Sequence, residues 1–204
     1  MVGLHLLLAH LLGDFVFQSN DLIQRKYRSW IGTFEHVCIV GFFTALFLFP
    51  FLTEFKTWLL VVIVFSVHFF QDILKTKFDL HFNLKRKSVW PFFLDQALHI
   101  SLLLYLASKF DNFPLPDFSP WILNIYFSKF LIAYLLGLVF FSYTYDLIAY
   151  QFKRQKSKKP LFYSPNFKDM SSRLTWFSLI SVTCLLLYRG CMEINVILLL
   201  GGKL

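Results

Sequence analysis

The chain has 204 residues, of which 57% are hydrophobic and only 16% charged, and its formal net charge is +8. A soluble domain carries about 25% charged residues, so a chain with mean hydropathy +0.59 has too little polar surface to coat a water-soluble globule. The basic residues cluster between apolar runs, a pattern of membrane topology rather than of a nucleic-acid surface, so membrane lipids are the expected partners and nucleic acid is not. Cys38, Cys184 and Cys191 lie in apolar stretches without a CxxC pair, which excludes a disulfide framework or a zinc finger and makes them small apolar fillers.

A membrane-spanning helix needs about 20 mostly apolar residues. The segments that approach this are 2–17, 34–52, 57–74, 90–108, 121–150 and 174–200. The length of the chain allows one domain, and the expected fold is all-α, a polytopic transmembrane helical bundle of about six helices. The first segment has the length of a signal peptide. It has no basic leading region and no small-residue cleavage site, and His10 and Asp14 interrupt its apolar core, so it reads as a retained helix. The last contains Arg189, Gly190 and Glu193. It is expected to end early, with an outer amphipathic piece in which Arg189 and Glu193 form an interfacial ion pair.

The connecting segments alternate in charge. The first, 18–33, holds Arg25, Lys26 and Arg28, the third, 75–89, holds Lys75, Lys77, Lys85, Arg86 and Lys87, and the fifth, 151–173, holds Lys153, Arg154, Lys156, Lys158, Lys159, Lys168 and Arg173. The second is nearly neutral, and the fourth sets Asp111 and Asp117 against one lysine. Basic loops stay in the cytoplasm. One topology satisfies all of them, with both termini outside and the odd-numbered helices running inward.

Ionisable groups inside a bilayer are costly and face the bundle interior or a water-filled cavity. This chain has His10 and Asp14 in the first helix, His36 at the start of the second, His68 and Asp72 in the third, Asp95, Gln96 and His99 in the fourth, and Tyr143 and Asp146 in the fifth. Three of these sets are His/Asp pairs spaced i, i+4, which puts both side chains on one helix face. The order is His then Asp in the first and third helices and Asp then His in the antiparallel fourth. Each Asp therefore lies nearer the cytoplasm, with its His about 6 Å deeper at 1.5 Å per residue. Two parallel helical hairpins, each carrying one such layer, would account for the pattern.

Imidazole and carboxylate together suit a divalent metal such as Zn, Mn or Fe. His10, Asp14, His68, Asp72, Asp95 and His99 are the candidate metal ligands, and His36 and Asp95 are the candidate catalytic groups, with His36 as ligand or base. A metal there would lower the pKa of a bound water and make a nucleophile, which points to a hydrolase acting on a lipid or membrane-associated substrate. Two other readings stand beside it. Asp/His chains also mark proton relays and ion paths, so the protein could be a proton-coupled or cation transporter, although transporter sites lie near the midplane. Buried His–Asp hydrogen bonds could also simply hold helices together, at about 0.6–2 kcal/mol each. Elsewhere the bland reading is preferred: His5 at the outer interface, His81 solvated, and Gly13 at a close helix approach. No nucleotide-binding loop, glycine-rich phosphate cradle or haem motif is present.

The strings Ala9-His10-Leu11-Leu12-Gly13-Asp14-Phe15-Val16-Phe17-Gln18, His68-Phe69-Phe70-Gln71-Asp72-Ile73-Leu74-Lys75 and Asp95-Gln96-Ala97-Leu98-His99 resemble a bacterial membrane-protein family catalogued as domain of unknown function 3307. The resemblance covers residues 4 to 105. It implies a multi-pass protein of the bacterial cytoplasmic (inner) membrane, and it brings no activity, substrate or cofactor with it.

Overall fold

The computed structural model describes residues 1–82, 88–110, 113–114, 117–157 and 163–201, with side chains described as far as Tyr188. The side chains of Arg189, Glu193 and Cys191, and the loop residues Lys85, Arg86, Lys87, Asp111, Lys158 and Lys159, lie outside what is described, and with them the expected Arg189–Glu193 pair. Among those that are described, the regular structure is all helical.

Helix α1, Val2–Leu11, runs on through a π-helical turn at Leu12–Val16. Segment 18–33 then forms a short helix, α2, Asn20–Arg28, bent by 90° from the first. Its start is fixed by Ser19, whose hydroxyl accepts from Leu22 N–H at 3.2 Å, the usual role of serine at an N-cap. Ser29 does the same for α3, Trp30–Phe47, by accepting from Gly32 N–H at 3.3 Å. A 3-10 turn at Phe49–Phe51 reverses the chain, and two side chains tie it down: Thr57 Oγ1 donates to Phe51 O at 2.6 Å and Trp58 Nε1 to Leu52 O at 2.8 Å. Helix α4 spans Phe55–His81, and α5, Trp90–Lys109, opens with a proline in its first turn, where a missing N–H costs nothing.

The expected span 121–150 is divided. Pro120–Tyr126 forms α6, and Ser128 caps a new helix, α7, Lys129–Val139, by accepting from Leu131 N–H at 3.2 Å. A second π-helical turn, Phe140–Thr144, leads into α8, Tyr145–Lys156. Helix α9, Phe167–Gly201, does not end early: it begins before residue 174 and continues unbroken past Arg189 and Gly190. Five helical stretches are long and apolar enough to cross a membrane, or up to 6 if α1 and the bent α2 count as one span.

Helices α1, α3, α4 and α5 form a ring, in which α1 packs on α3 and α5, and α4 packs on the same two. One end of the ring is closed by an apolar plug of Val2, Leu6, Leu48, Leu60, Val64, Leu103 and Leu106. Helices α7, α8 and α9 stand outside it. A second apolar cluster, Leu8, Leu11 and Phe15 of α1 with Val139 of α7, joins the two parts. Gly13 brings α1 against α3, since a Cβ there would sit 2.6 Å from Val40 Cγ2. Large apolar side chains cover the outside, among them Phe42, Val62, Phe70, Leu98, Leu104 and Trp176. Water would penalise such a surface, whereas lipid does not. Exposed Trp30 and Trp90 mark one end of the ring and Trp58 and Trp121 the other, as aromatic belts do at the two interfaces of a membrane.

Candidate metal centre

The end of the ring opposite the apolar plug is polar. Helix α1 brings His10 and, from its π-helical turn, Asp14; α3 brings His36 from its second turn. Helix α4 brings His68 and Asp72, and α5 brings Asp95, Gln96 and His99. All seven His and Asp side chains are buried, His36 completely. The i, i+4 spacing turns both members of each pair inward, because only one stripe of each helix faces the ring axis.

Hydrogen bonds indicate which nitrogen carries the proton in three of the four rings. Gln96 Nε2 donates to Asp14 Oδ2 at 3.3 Å and to Asp95 Oδ2 at 3.2 Å. Its Oε1 is therefore the acceptor for His10 Nε2 at 3.2 Å, and the lone pair of His10 is on Nδ1. Gln18, oriented to suit its neighbours, accepts through Oε1 from His36 Nδ1 at 3.2 Å and from Lys26 Nζ at 2.9 Å. That leaves the lone pair of His36 on Nε2. His99 Nδ1 donates to the Asp95 carbonyl at 2.8 Å, which frees His99 Nε2. Orientation of this kind is what outer partners impose on metal-ligating histidines.

The result is a centre rich in acceptors. Asp14 Oδ1 lies 3.2 Å from His36 Nε2 and 3.5 Å from His68 Nε2, and the two Nε2 atoms are 3.2 Å apart. Asp72 Oδ2 lies 3.5 Å from His36 Nε2 and 3.8 Å from His68 Nε2. Donor atoms about 2.0–2.2 Å from a tetrahedral zinc ion are separated from each other by about 3.3–3.6 Å, so Asp14 Oδ1, His36 Nε2 and His68 Nε2 have close to the spacing of a ligand set, with Asp72 Oδ2 beside them. His10 Nδ1, Asp14 Oδ1 and His99 Nε2 are buried without hydrogen-bond partners. Three trios of buried side chains lie close enough to hold an ion: His10, Asp14 and His68; His36, His68 and Asp72; and Asp72, Asp95 and His99. All the expected metal and catalytic residues thus meet in one cluster. His36 lies at its centre, whereas His10, His99 and Asp95 form the flank towards α5.

Two lysines enter the cluster that topology alone would leave in the headgroups. Lys26 of α2 reaches Asp72 Oδ2 at 2.5 Å, and Lys75 of α4 reaches Asp95 Oδ2 at 2.8 Å. Lys75 could have been found from the sequence, since it follows Asp72 by three residues on the same helix face. Lys26 could not, because only the bend before α2 turns it back. Beyond them Tyr27 donates to Asp79 Oδ2 at 2.7 Å.

Other polar residues are placed elsewhere. Asp146 does not join the cluster but pairs with Arg173 of α9 at 2.5 Å. Nearby, burial pushes the Tyr163 hydroxyl up to about 12, helped by the charge of Asp146. His5 is not at an exposed interface: it is buried, stacked on Tyr126 at 4.2 Å between ring centres, with Nδ1 donating to Met1 O at 3.1 Å. His81 is exposed at the end of α4, and Cys38 and Cys184 are free and exposed.

A family model described as "Protein of unknown function (DUF3307)" matches residues 2–116, a stretch that contains the whole ring and every His and Asp of the cluster. No curated protein and no solved structure matches the chain.

Proposed function

We propose, on the premise that this chain belongs to the DUF3307 family, that it is a divalent-metal-dependent hydrolase of the bacterial cytoplasmic membrane, acting on a lipid or another membrane-associated substrate. The observation that carries this reading is the convergence of Asp14 Oδ1, His36 Nε2, His68 Nε2 and Asp72 Oδ2 within 3.2–3.8 Å of their neighbours in a buried cluster, with Asp14 Oδ1, His10 Nδ1 and His99 Nε2 left unpartnered around it. Buried acceptors facing one another repel unless a cation lies between them. Zinc, manganese and iron suit the mixture of imidazole and carboxylate.

Asp14, His36 and His68 would hold the cation, and with Asp72 already shared with Lys26 a fourth position would be left for water. Three protein ligands and one open position distinguish a catalytic site from a closed structural one. Such a cation would lower the pKa of that water towards neutrality and polarise the bond under attack. Substrate enters from the cytoplasmic headgroup layer. The basic residues of α2 and of the ends of α4 and α8 gather at the cluster's end of the ring, which under the positive-inside rule faces the cytoplasm. Both termini are then outside.

A cation or proton transporter is the second reading, favoured by Lys26 and Lys75, which are built-in counter-ions that an arriving cation could displace. The apolar plug of Val2, Leu6, Leu48, Leu60, Val64, Leu103 and Leu106 across the other end of the ring argues against a through path.

The test is metal analysis of protein purified in detergent without chelator, followed by hydrolysis assays on ester and phosphoester lipids. At least one equivalent of Zn, Mn or Fe is expected, lost in folded His68→Ala and Asp14→Asn variants along with any hydrolytic activity. Absence of metal after reloading would overturn the reading. Metal accompanied by flux in proteoliposomes, without hydrolysis, would turn it into the transporter.

A further inference from the structure

We infer that the cluster holds a second divalent cation, bound by Asp72, Asp95 and His99 beside the one at Asp14, His36 and His68, and that the pair serves an anionic phosphoester substrate. The inference rests on the reading above and extends it from one cation to two.

The three side chains of the second set come from α4 and α5, are all buried, and offer ligand atoms within 4.8 Å of one another. The His99 ring keeps a buried, unpartnered nitrogen beside this set. Its Nδ1 is committed to the Asp95 carbonyl at 2.8 Å, whereas Nε2 is buried with no partner. The ring lies 4.3 Å from His68 and 5.3 Å from His10, centre to centre, so it sits among the cluster's other histidines rather than in the lipid. Asp72 of this set also lies beside the first cation's ligands, with Oδ2 at 3.5 Å from His36 Nε2 and 3.8 Å from His68 Nε2. A carboxylate has two oxygens and four lone-pair directions, which suits it to bridge two cations, and a shared carboxylate brings them to the separation that two-metal sites use.

Charge points to the class of substrate. Asp14, Asp72 and Asp95 supply three negative charges, and Lys26 and Lys75 return two positive ones. Two divalent cations would leave the centre with an excess of three positive charges. A phosphate monoester dianion and one hydroxide neutralise that excess together, whereas a neutral carboxylic ester leaves two charges uncompensated in a buried site. In the reaction the hydroxide adds to phosphorus, the phosphorus–oxygen bond to the alcohol breaks, and the leaving alkoxide takes a proton from water. The products are the free alcohol and inorganic phosphate.

The test uses the full-length protein in detergent, loaded with Mn2+. Metal analysis should give two equivalents per chain in wild type and one in His99→Ala, and electron paramagnetic resonance should show a spin-coupled manganese pair in wild type and an isolated ion in the variant. One equivalent in both proteins, with an uncoupled spectrum, would overturn the second position and leave the first intact. No bound metal in wild type would overturn both readings. If His99→Ala does not fold, the wild-type spectrum still decides, because only a pair gives the coupled signal. Hydrolysis of a phosphate monoester lipid by the two-manganese protein, with no hydrolysis of a carboxylic ester lipid, supports the substrate class; the reverse preference overturns it.

Discussion

Lys26 is the residue at which topology and chemistry diverge. In the chain it is one of several basic residues between two apolar runs, and the positive-inside rule accounts for it. In the folded protein its ammonium group lies on Asp72 at 2.5 Å and is only 10% exposed. It occupies one side of a carboxylate that also faces two histidines, and so acts as a resident cation. Removing one member of a buried ion pair costs about 3–5 kcal/mol, because the other charge is left uncompensated. Lys26→Met should therefore lower the melting temperature of metal-free protein by several degrees, and added Zn2+ or Mn2+ should restore more of the loss than it adds to wild type. Thermal unfolding in detergent, with and without metal, measures this. Equal stabilisation of both proteins would mean that Lys26 and the cation do not share a site. The His/Asp pairs themselves were legible in the sequence, since i, i+4 spacing in an apolar segment leaves few other readings. The parts played by Gln18 and Gln96, which set the tautomers of His36 and His10, were not, because an amide beside a basic loop or a carboxylate carries no signal of what it bonds.

Among the elements, hydropathy gave the number of long helices to within one but not their ends. Helix α4 runs on to His81, beyond residue 74, because Lys75, Thr76 and Lys77 are compatible with a helix even where they leave the lipid. The break at Phe127–Ser128 was hidden inside an apolar run, and Ser128 as an N-cap is its only mark. Helix α2 is short and polar, so a search for spans passes over it, although it delivers Lys26. Helix α9 was placed too late and too short for a related reason: charged residues at its start suggested a loop. It packs on α7 and on the second π-helical turn. A Cβ on Gly137 would run into the ring of Phe177, so this contact depends on the absence of a side chain. Gly137→Leu is expected to loosen α9, seen as faster proteolysis near residue 166, while the metal content stays at the wild-type level. Loss of metal in that variant would show that the outer helices hold the ring in shape.

The molecule as a whole is a four-helix ring with an apolar end and a polar end, and an outer layer attached to one side. Its orientation follows from the distribution of charge. Two exposed positions mark the two ends, Thr53 in the turn before α4 and His81 at the end of α4. In a background with the native cysteines replaced by serine, Thr53→Cys should react with a membrane-impermeant maleimide in intact cells, and His81→Cys only after permeabilisation. The opposite pattern would put the cluster on the outer face and remove the cytoplasmic headgroup layer as its source of substrate.

The ring also has an order of assembly, because its members are made one after another. When α1 leaves the ribosome it carries His10 and Asp14 into the membrane, and the imidazole nearest to Asp14 Oδ1, that of His36 at 3.2 Å, is still being synthesised. The first hairpin can shelter these groups against each other as soon as α3 is inserted, and α4 adds two more ligands to a furrow that remains open on one side. Only α5 closes it. A nascent chain that stalls before residue 90 therefore presents an unfinished polar face to lipid or to the insertion machinery, and the centre becomes a closed compartment only when residues 10 and 99 have met.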